Sequence, residues 1–263
     1  MRKYYYIFKA EIMSSLQYIV STLLNFLVFS LIIYVFMCLW RYLYSDPSEL
    51  INGYNMHQMM WYLIATETLY TALGGRKFCR KISEDVKGGN ITYNLNKPYS
   101  YIGYSLSSHL GEITIKAIIY ISCAFLMGVI YTGQLPQLTP LSALGVVLSF
   151  TISYVISSLL IICIGLLAFF VENSSPFYWI YSKFILVFGT LFPIEFFPAI
   201  IQPFIRYSVI YAISYGPANL FVDFAWNKFF IVIGAQIVYL CIAYGIASLL
   251  YRKGVKKLNV NGG

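Results

Sequence analysis

Long uncharged apolar runs dominate the chain and alternate with short segments that carry nearly all of its charge. Residues 12–40 form the first run and residues 117–171 the longest, and neither contains Lys, Arg, Asp or Glu. About 20 apolar residues are enough for a helix to cross the hydrocarbon core of a bilayer. The longest run therefore provides two crossings, and the cluster of Gly133, Pro136 and Pro140 predicts a turn between them.

The whole pattern predicts an all-α membrane protein with six transmembrane helices in a single domain, residues 1–263. The predicted spans lie at about residues 19–39, 59–73, 113–131, 144–170, 177–192 and 229–250.

Residues 193–227 are apolar but interrupted by prolines, in two pieces at residues 196–205 and 207–222. Apolar pieces of about 10–14 residues are often re-entrant or interfacial. We therefore predict a re-entrant helical hairpin in the outer leaflet before span six. At the other end of the chain, the basic and aromatic residues 1–11 predict a cytoplasmic amphipathic helix at the lipid headgroups, or a flank that only anchors span one.

Composition agrees with a membrane protein, since 59% of the residues are apolar, 11% are charged and mean hydropathy is +0.71. Soluble domains carry about 25% charged residues, so this chain cannot cover a soluble globule with polar surface. The five cysteines show no C-x-x-C spacing and are interpreted as small apolar packing residues rather than metal ligands.

The basic residues predict the orientation in the membrane. Fourteen of the 18 Lys and Arg residues lie on the side of the N-terminus, the loop after span two and the C-terminus, and three lie on the other side. Because cytoplasmic loops carry the excess of basic residues, both termini are predicted to be cytoplasmic. The same explanation accounts for the positive net charge without a nucleic-acid partner.

The loop after span two, residues 74–100, is the longest predicted cytoplasmic loop and the most charged part of the chain. Phe78, Ile82 and Val86 recur every four residues, so a short helix here has one apolar face. Gly88 and Gly89 follow as a helix stop signal. An amphipathic helix held by two neighbouring spans is suited to docking a soluble partner, although a solvated basic loop has the same composition.

This loop resembles the pattern I-x-x-G-x-I-x-x-x-L-x-K-P of ABC-2 type exporter permeases. The string runs Val86-Lys87-Gly88-Gly89-Asn90-Ile91-Thr92-Tyr93-Asn94-Leu95-Asn96-Lys97-Pro98. The proline-containing strings at residues 189–193, 197–198 and 215–217 resemble the region before the last span of that family. The resemblance covers almost the whole chain and is closest to the six-span subfamily.

The resemblance implies a coupling helix after span two, on which separate ATP-binding cassette ATPase subunits dock. It assigns that coupling role to Arg80, Lys81, Ile82, Val86, Gly88, Gly89, Leu95, Lys97 and Pro98. It also implies a second permease, as a homodimer or a heterodimer, and a place among the lipids of a prokaryotic plasma membrane.

No P-loop string G-x-x-x-x-G-K-[ST] occurs in the sequence. We therefore expect no cofactor on this chain, with ATP and Mg bound by the partner ATPase. Catalytic strings of the H-E-x-x-H or G-x-S-x-G type are also missing, which disfavours a membrane enzyme. The alternative function is a stand-alone secondary transporter or channel, and the sequence does not reveal the cargo.

Ionisable residues in the predicted membrane region are the candidates for a transport path or gate, because charge is costly there. His109, Glu112 and Lys116 follow each other at i, i+3 and i+7 and share one helical face. Glu112 and Lys116 could instead form a self-neutralised pair at the inner interface. Glu67, central in span two, faces a polar cavity or the dimer interface, or bonds to neighbouring helices, and Glu195 in the outer hairpin is structural or part of an exit gate.

Overall fold

The computed structural model describes residues 2–91 and 97–261, and within those ranges it is helical and contains no β-strand. The helices are α1 (Arg2–Gln17), α2 (Ile19–Leu43), α3 (Met56–Ala72), α4 (Gly75–Lys87), α5 (Tyr101–Thr132), α6 (Pro140–Leu166), α7 (Ser175–Ile185), α8 (Gln202–Arg206), α9 (Gly216–Val222) and α10 (Trp226–Asn261). The π-helical segments Leu186–Leu191 and Tyr211–Tyr215 follow α7 and precede α9. The predicted all-α class is confirmed.

Four of the described helices are long and apolar enough to cross a membrane. These stretches are Thr22–Leu43, Tyr101–Thr132, Pro140–Phe169 and Trp226–Lys257. The helices at predicted spans two and five are shorter, with 17 residues in α3 and 11 in α7 before its π-helical extension. The six-span count therefore stays a prediction, while the multi-pass membrane character is clear.

Local sequence signals explain where the long helices begin and end. The side chain of Asn55 accepts a hydrogen bond from the backbone N–H of Gln58 and caps α3. Thr139 caps α6 in the same way, and Pro140 occupies the first turn, where its missing N–H has no cost. Gly133 ends α5 with φ of +65°, a conformation that favours glycine.

The third predicted span lies within a longer helix. Helix α5 begins at Tyr101, twelve residues before the predicted start of the span at residue 113, and the bounds of the span itself stay a prediction. Hydropathy marks only the apolar part of a helix, and polar residues such as His109 and Glu112 do not interrupt its backbone. Helix α1 is likewise longer than predicted, reaching Gln17 before a break at Tyr18 separates it from α2.

The predicted hairpin of two helices is only partly present. Its first piece contains a helix of just five residues, α8, with Pro203 in its first turn and Pro198 before it. Its second piece is continuously helical from Tyr211 to Val222 and largely buried. The region is therefore a proline-broken segment with one well-formed helical arm.

Helix packing gives the molecule two distinct ends. The first is the α4 end, where α4 lies against the final turns of α6 and where α5 begins. The second is the opposite end, formed by residues 44–55 and 192–225. Helix α1 packs along the first half of α5, where an added Cβ at Gly111 would lie 2.6 Å from the carbonyl oxygen of Phe8.

Candidate functional site

Helix α4 is fixed to the bundle by its apolar face. Phe78, Ile82 and Val86 are all buried, which confirms the amphipathic helix that their spacing predicts. An added Cβ at Gly165 of α6 would lie 2.7 Å from the Cβ of Ile82. Only glycine at position 165 leaves room for this approach, so α4 and α6 are in direct contact.

The charged face of α4 points away from the bundle. The Arg80 guanidinium lies 2.8 Å from the Glu84 carboxylate, and both side chains are exposed. Lys81 is also exposed, with its ammonium group 3.9 Å from the carboxylate of Glu11 on α1. Exposed ion pairs contribute little stability, so both basic groups could exchange these partners for charges on a docked protein.

The end of α4 and the chain beyond it follow the predicted stop signal. The backbone N–H of Gly88 donates to the carbonyl of Glu84 at 2.8 Å, and Gly89 has φ of +72°. The ammonium of Lys97 lies 5.7 Å from the centre of the Tyr99 ring, and the carbonyl of Pro98 accepts a hydrogen bond from Lys3. Leu95 is outside the described residues.

His109 links three helices at the α4 end. Its Nε2 lies 2.8 Å from the carbonyl oxygen of Leu73, which can only accept, so this nitrogen carries the proton. Its Nδ1 lies 2.9 Å from the hydroxyl oxygen of Ser158 on α6. The other two polar residues of the predicted face, Glu112 and Lys116, form an ion pair with each other, so their charge is neutralised within α5.

Glu67 is buried in α3, with 3% of the residue exposed. Its carboxylate accepts a hydrogen bond of 3.2 Å from the hydroxyl of Thr71, one turn later. The neighbouring Thr66 donates a hydrogen bond of 2.8 Å to the carbonyl of Thr190 in the π-helical segment after α7. Glu67 therefore lies beside a polar contact between α3 and a locally widened helix, and its transport role stays a prediction.

Glu195 is the centre of a polar network at the opposite end. Its two carboxylate oxygens accept hydrogen bonds from the hydroxyls of Tyr215, at 2.6 Å, and Tyr54, at 3.2 Å. The guanidinium of Arg206 lies 3.9 Å away, and Asn219 donates to the Tyr54 hydroxyl at 2.9 Å. Burial raises the pKa of Tyr54, so its hydroxyl stays protonated and able to donate.

Two cavities of similar size lie at the two ends. The cavity at the opposite end has a volume of about 710 Å³ and is lined by the Glu195 network, by Tyr207, Tyr211 and Tyr239, and by Lys228. The cavity at the α4 end has a volume of about 730 Å³ and lies between α4 and the start of α7. Both fall within the size range of small-molecule sites.

Metal chemistry has no visible site in the described part of the chain. No group of three or more His, Cys, Asp or Glu side chains in residues 2–91 and 97–261 is placed to hold a metal ion. The five cysteines, all described, are free thiols, and burial raises the pKa of Cys79 on α4 to about 11. A buried neutral thiol of this kind acts as an apolar packing group.

Comparison with known proteins decides the family. A family model described as "ABC-2 family transporter protein" matches residues 29–262, which is most of the chain. The chain belongs to this family. No curated protein matches the sequence. As an ABC-2 family transporter protein, the chain is a membrane component of a transport system, a part that is generally not catalytic itself.

The structure of this ABC-2 family protein also reveals polar residues that sequence reasoning did not single out. Tyr54, Arg206 and Tyr215 join Glu195, although they are far from it or separated from it by prolines in the sequence. Gln236 of α10 is fully buried and donates hydrogen bonds of 3.0 Å to Ser153 and to the carbonyl of Ala212. The sequence signal for this contact is the presence of a glutamine, Gln236, within an otherwise apolar predicted span.

Proposed function

We propose that the chain is the permease subunit of an ATP-driven exporter whose ATPase is a separate chain that docks on α4. The observation that carries the proposal is the division of α4 into a face fixed to the bundle and a charged face free for a partner. Family membership supports it, because ABC-2 membrane subunits typically work with ATPase partners. ATP and Mg then belong to that partner.

Movement of α4 would reach the membrane helices through its buried contacts. Ile82 lies against Gly165 of α6, and Phe78 stacks on His109 of α5. Two helices that qualify as membrane spans therefore contact the same short helix. A displacement of α4 by a closing ATPase pair cannot leave both helices in place, because packed interiors transmit strain.

The two cavities give the proposed transport path an entrance region and an exit region. We take the side with the excess of basic residues as cytoplasmic, so that α4 and both termini lie in the cytoplasm. The Glu195 network then faces the outside, where it is available as part of an exit gate, with Glu67 between the two ends. A second permease, identical or related, would complete the path.

The test is co-purification of the tagged chain from its native membranes, with P-loop ATPases identified by mass spectrometry. We expect an ATPase subunit to accompany the wild-type chain. Charge reversal in R80E/K81E should reduce its recovery by at least about tenfold, because two charge contacts of about 1 kcal/mol or less each are replaced by repulsion. Proline at Val86, inside α4, should have the same effect.

The matched control is K256E/K257E, which changes the charge equally at two basic residues in the last part of α10. Normal ATPase recovery with R80E/K81E and V86P, in a correctly inserted protein, would contradict docking on α4. The alternative function, a stand-alone secondary transporter or channel, makes a different prediction. It requires transport by the purified chain in liposomes with an ion gradient and no ATPase.

A further inference from the structure

The cavity at the α4 end has an excess of positive charge. Four basic side chains and one acidic side chain belong to its lining, namely Arg76, Arg80, Lys87, Lys183 and Glu84. Helix α4 supplies Arg76, and α7 supplies Lys183. Two separate elements therefore bring cations to one space of about 730 Å³.

Two of the four cations are not used by the protein itself. Arg80 is paired with Glu84, and the ammonium of Lys87 donates to the carbonyl of Glu172. Arg76 and Lys183 have no carboxylate partner within residues 2–91 and 97–261. The cavity thus offers two uncompensated positive charges to an anion that enters it.

The cavity wall also includes a serine hydroxyl that can donate to a ligand. Ser175 of α7 lines it, whereas the Ser182 hydroxyl donates to the carbonyl of Trp179 and the Ser83 hydroxyl is hydrogen-bonded to Ser174. Serine hydroxyls and basic side chains are typical partners of phosphate oxygens. Trp179 is 63% exposed and lines the same cavity, so an amphipathic ring of the kind enriched at membrane interfaces lies at its edge.

An exposed apolar stripe begins beside the cavity. Phe177, Ile180 and Phe184 follow each other at i, i+3 and i+7 on α7 and therefore share one face of the helix. All three are exposed in the monomer. Lys183, at the cavity, is next to Phe184 in sequence, so the charged space and the apolar stripe adjoin.

We propose that this combination is a binding site for an anionic phospholipid. The phosphate of the head group lies between Arg76 and Lys183, and an acyl chain follows the stripe of Phe177, Ile180 and Phe184. A zwitterionic lipid brings its own ammonium group into a cavity that is already positive, so it binds less well. The apolar stripe lies on α7, within predicted span five, where acyl chains of the bilayer are available along its length, which favours the lipid over a soluble docked subunit at this cavity.

Native mass spectrometry of the purified chain in neutral detergent, without any ATPase, tests the site. Phosphatidylglycerol is compared with phosphatidylcholine of the same chains and with inorganic phosphate. We expect phosphatidylglycerol to bind most tightly. R76Q/K183Q should weaken its binding by about tenfold or more, since both cations that face the phosphate are removed. Each single variant should show part of that loss.

R252Q/K253Q is the matched control, because it removes two exposed cations of α10 that do not line the cavity. An equal loss in this control would mean general surface attraction and would overturn the site. Equal binding of phosphatidylcholine would do so too, and binding of inorganic phosphate as tight as that of phosphatidylglycerol would exclude the lipid as ligand. Thermal unfolding of each variant shows that the fold is retained. ATPase docking plays no part in the measurement, so the two proposals succeed or fail separately.

Discussion

The ring of His109 lies flat on the ring of Phe78, with the centroids 3.7 Å apart and 7° between the planes. Phe78 belongs to α4 and His109 to α5, and both ring nitrogens of His109 also have hydrogen-bonding partners. The ring of His109 is thus held in place and forms the surface on which Phe78 of the amphipathic helix packs. A docked α4 is the basis of the proposed coupling, so its attachment is the first property to test.

Substitution I82A should loosen α4. Ile82 is 1% exposed, and Ile to Ala in a packed interior costs about 2–5 kcal/mol. Cys79, on the same helix, reports the change, since burial raises its pKa to about 11 and leaves little reactive thiolate at pH 8. With the other four cysteines replaced, maleimide should label Cys79 slowly in the parent and at least about tenfold faster in I82A.

The pH dependence of the labelling of Cys79 follows from the raised pKa of its thiol. Because the pKa of Cys79 is raised, the docked state favours the neutral thiol, and the thiolate forms only as the pH approaches about 11. The labelling rate of the parent should rise about tenfold per pH unit between about pH 8 and pH 10, since the thiolate fraction does so well below the pKa. A rise of only about fourfold over the whole range, which levels off towards pH 10 as expected for a thiol with a pKa of about 8.5, would show that Cys79 is not held in the buried position.

Substitution G111A should displace α1 from α5. The added Cβ would meet the backbone of α1, with the carbonyl oxygen of Phe8 at 2.6 Å, and a backbone atom cannot rotate away. We expect a loss of about 1–3 kcal/mol in unfolding free energy and faster proteolysis of α1. G245A on α10 is the control, because an added Cβ there meets nothing within 4 Å. Equal stability of G111A and G245A would contradict the packing of α1.

The Glu195 network should stabilise the opposite end. Y215F removes a hydrogen bond of 2.6 Å to the carboxylate, and Y54F removes both a donor to Glu195 and an acceptor for Asn219. Hydrogen bonds to charged groups contribute about 1.5–3 kcal/mol, so each variant should unfold more easily in detergent. Y42F, at a residue that is 87% exposed, should have no effect. Unchanged stability of both Y215F and Y54F would show that these hydrogen bonds do not stabilise the protein.

Gln236 should connect α10 to its neighbours. Its amide reaches Ser153 of α6 and the carbonyl of Ala212, each at 3.0 Å, from a fully buried position. Q236L leaves those groups without this donor and should cost about 1–2 kcal/mol. Q137L, in the exposed loop before α6, is the control for the gain in apolarity. Chemical unfolding in mixed micelles measures the free energy of unfolding of both variants. An equal loss in Q236L and Q137L would contradict a role for Gln236.

Regular local patterns made several features predictable. The four-residue spacing of Phe78, Ile82 and Val86 predicted the amphipathic helix, since one helical turn is nearly four residues long. The Gly88-Gly89 stop and the turn around Gly133 needed only backbone preferences. The start of helix α5 lies outside the predicted span, because hydropathy detects apolar residues and a helix can continue through polar ones.

The sequence by itself determined the membrane class, the position of the apolar runs, the short charged helix and the resemblance that the family match confirmed. These properties depend on composition and on spacings within a few residues, which are fixed before the chain folds. Only the tertiary structure decided that Tyr54, Tyr215 and Arg206 meet at Glu195, that His109 faces Phe78, and that Arg76 and Lys183 share a cavity. Such contacts join residues far apart in the chain, and helix packing alone brings them within reach.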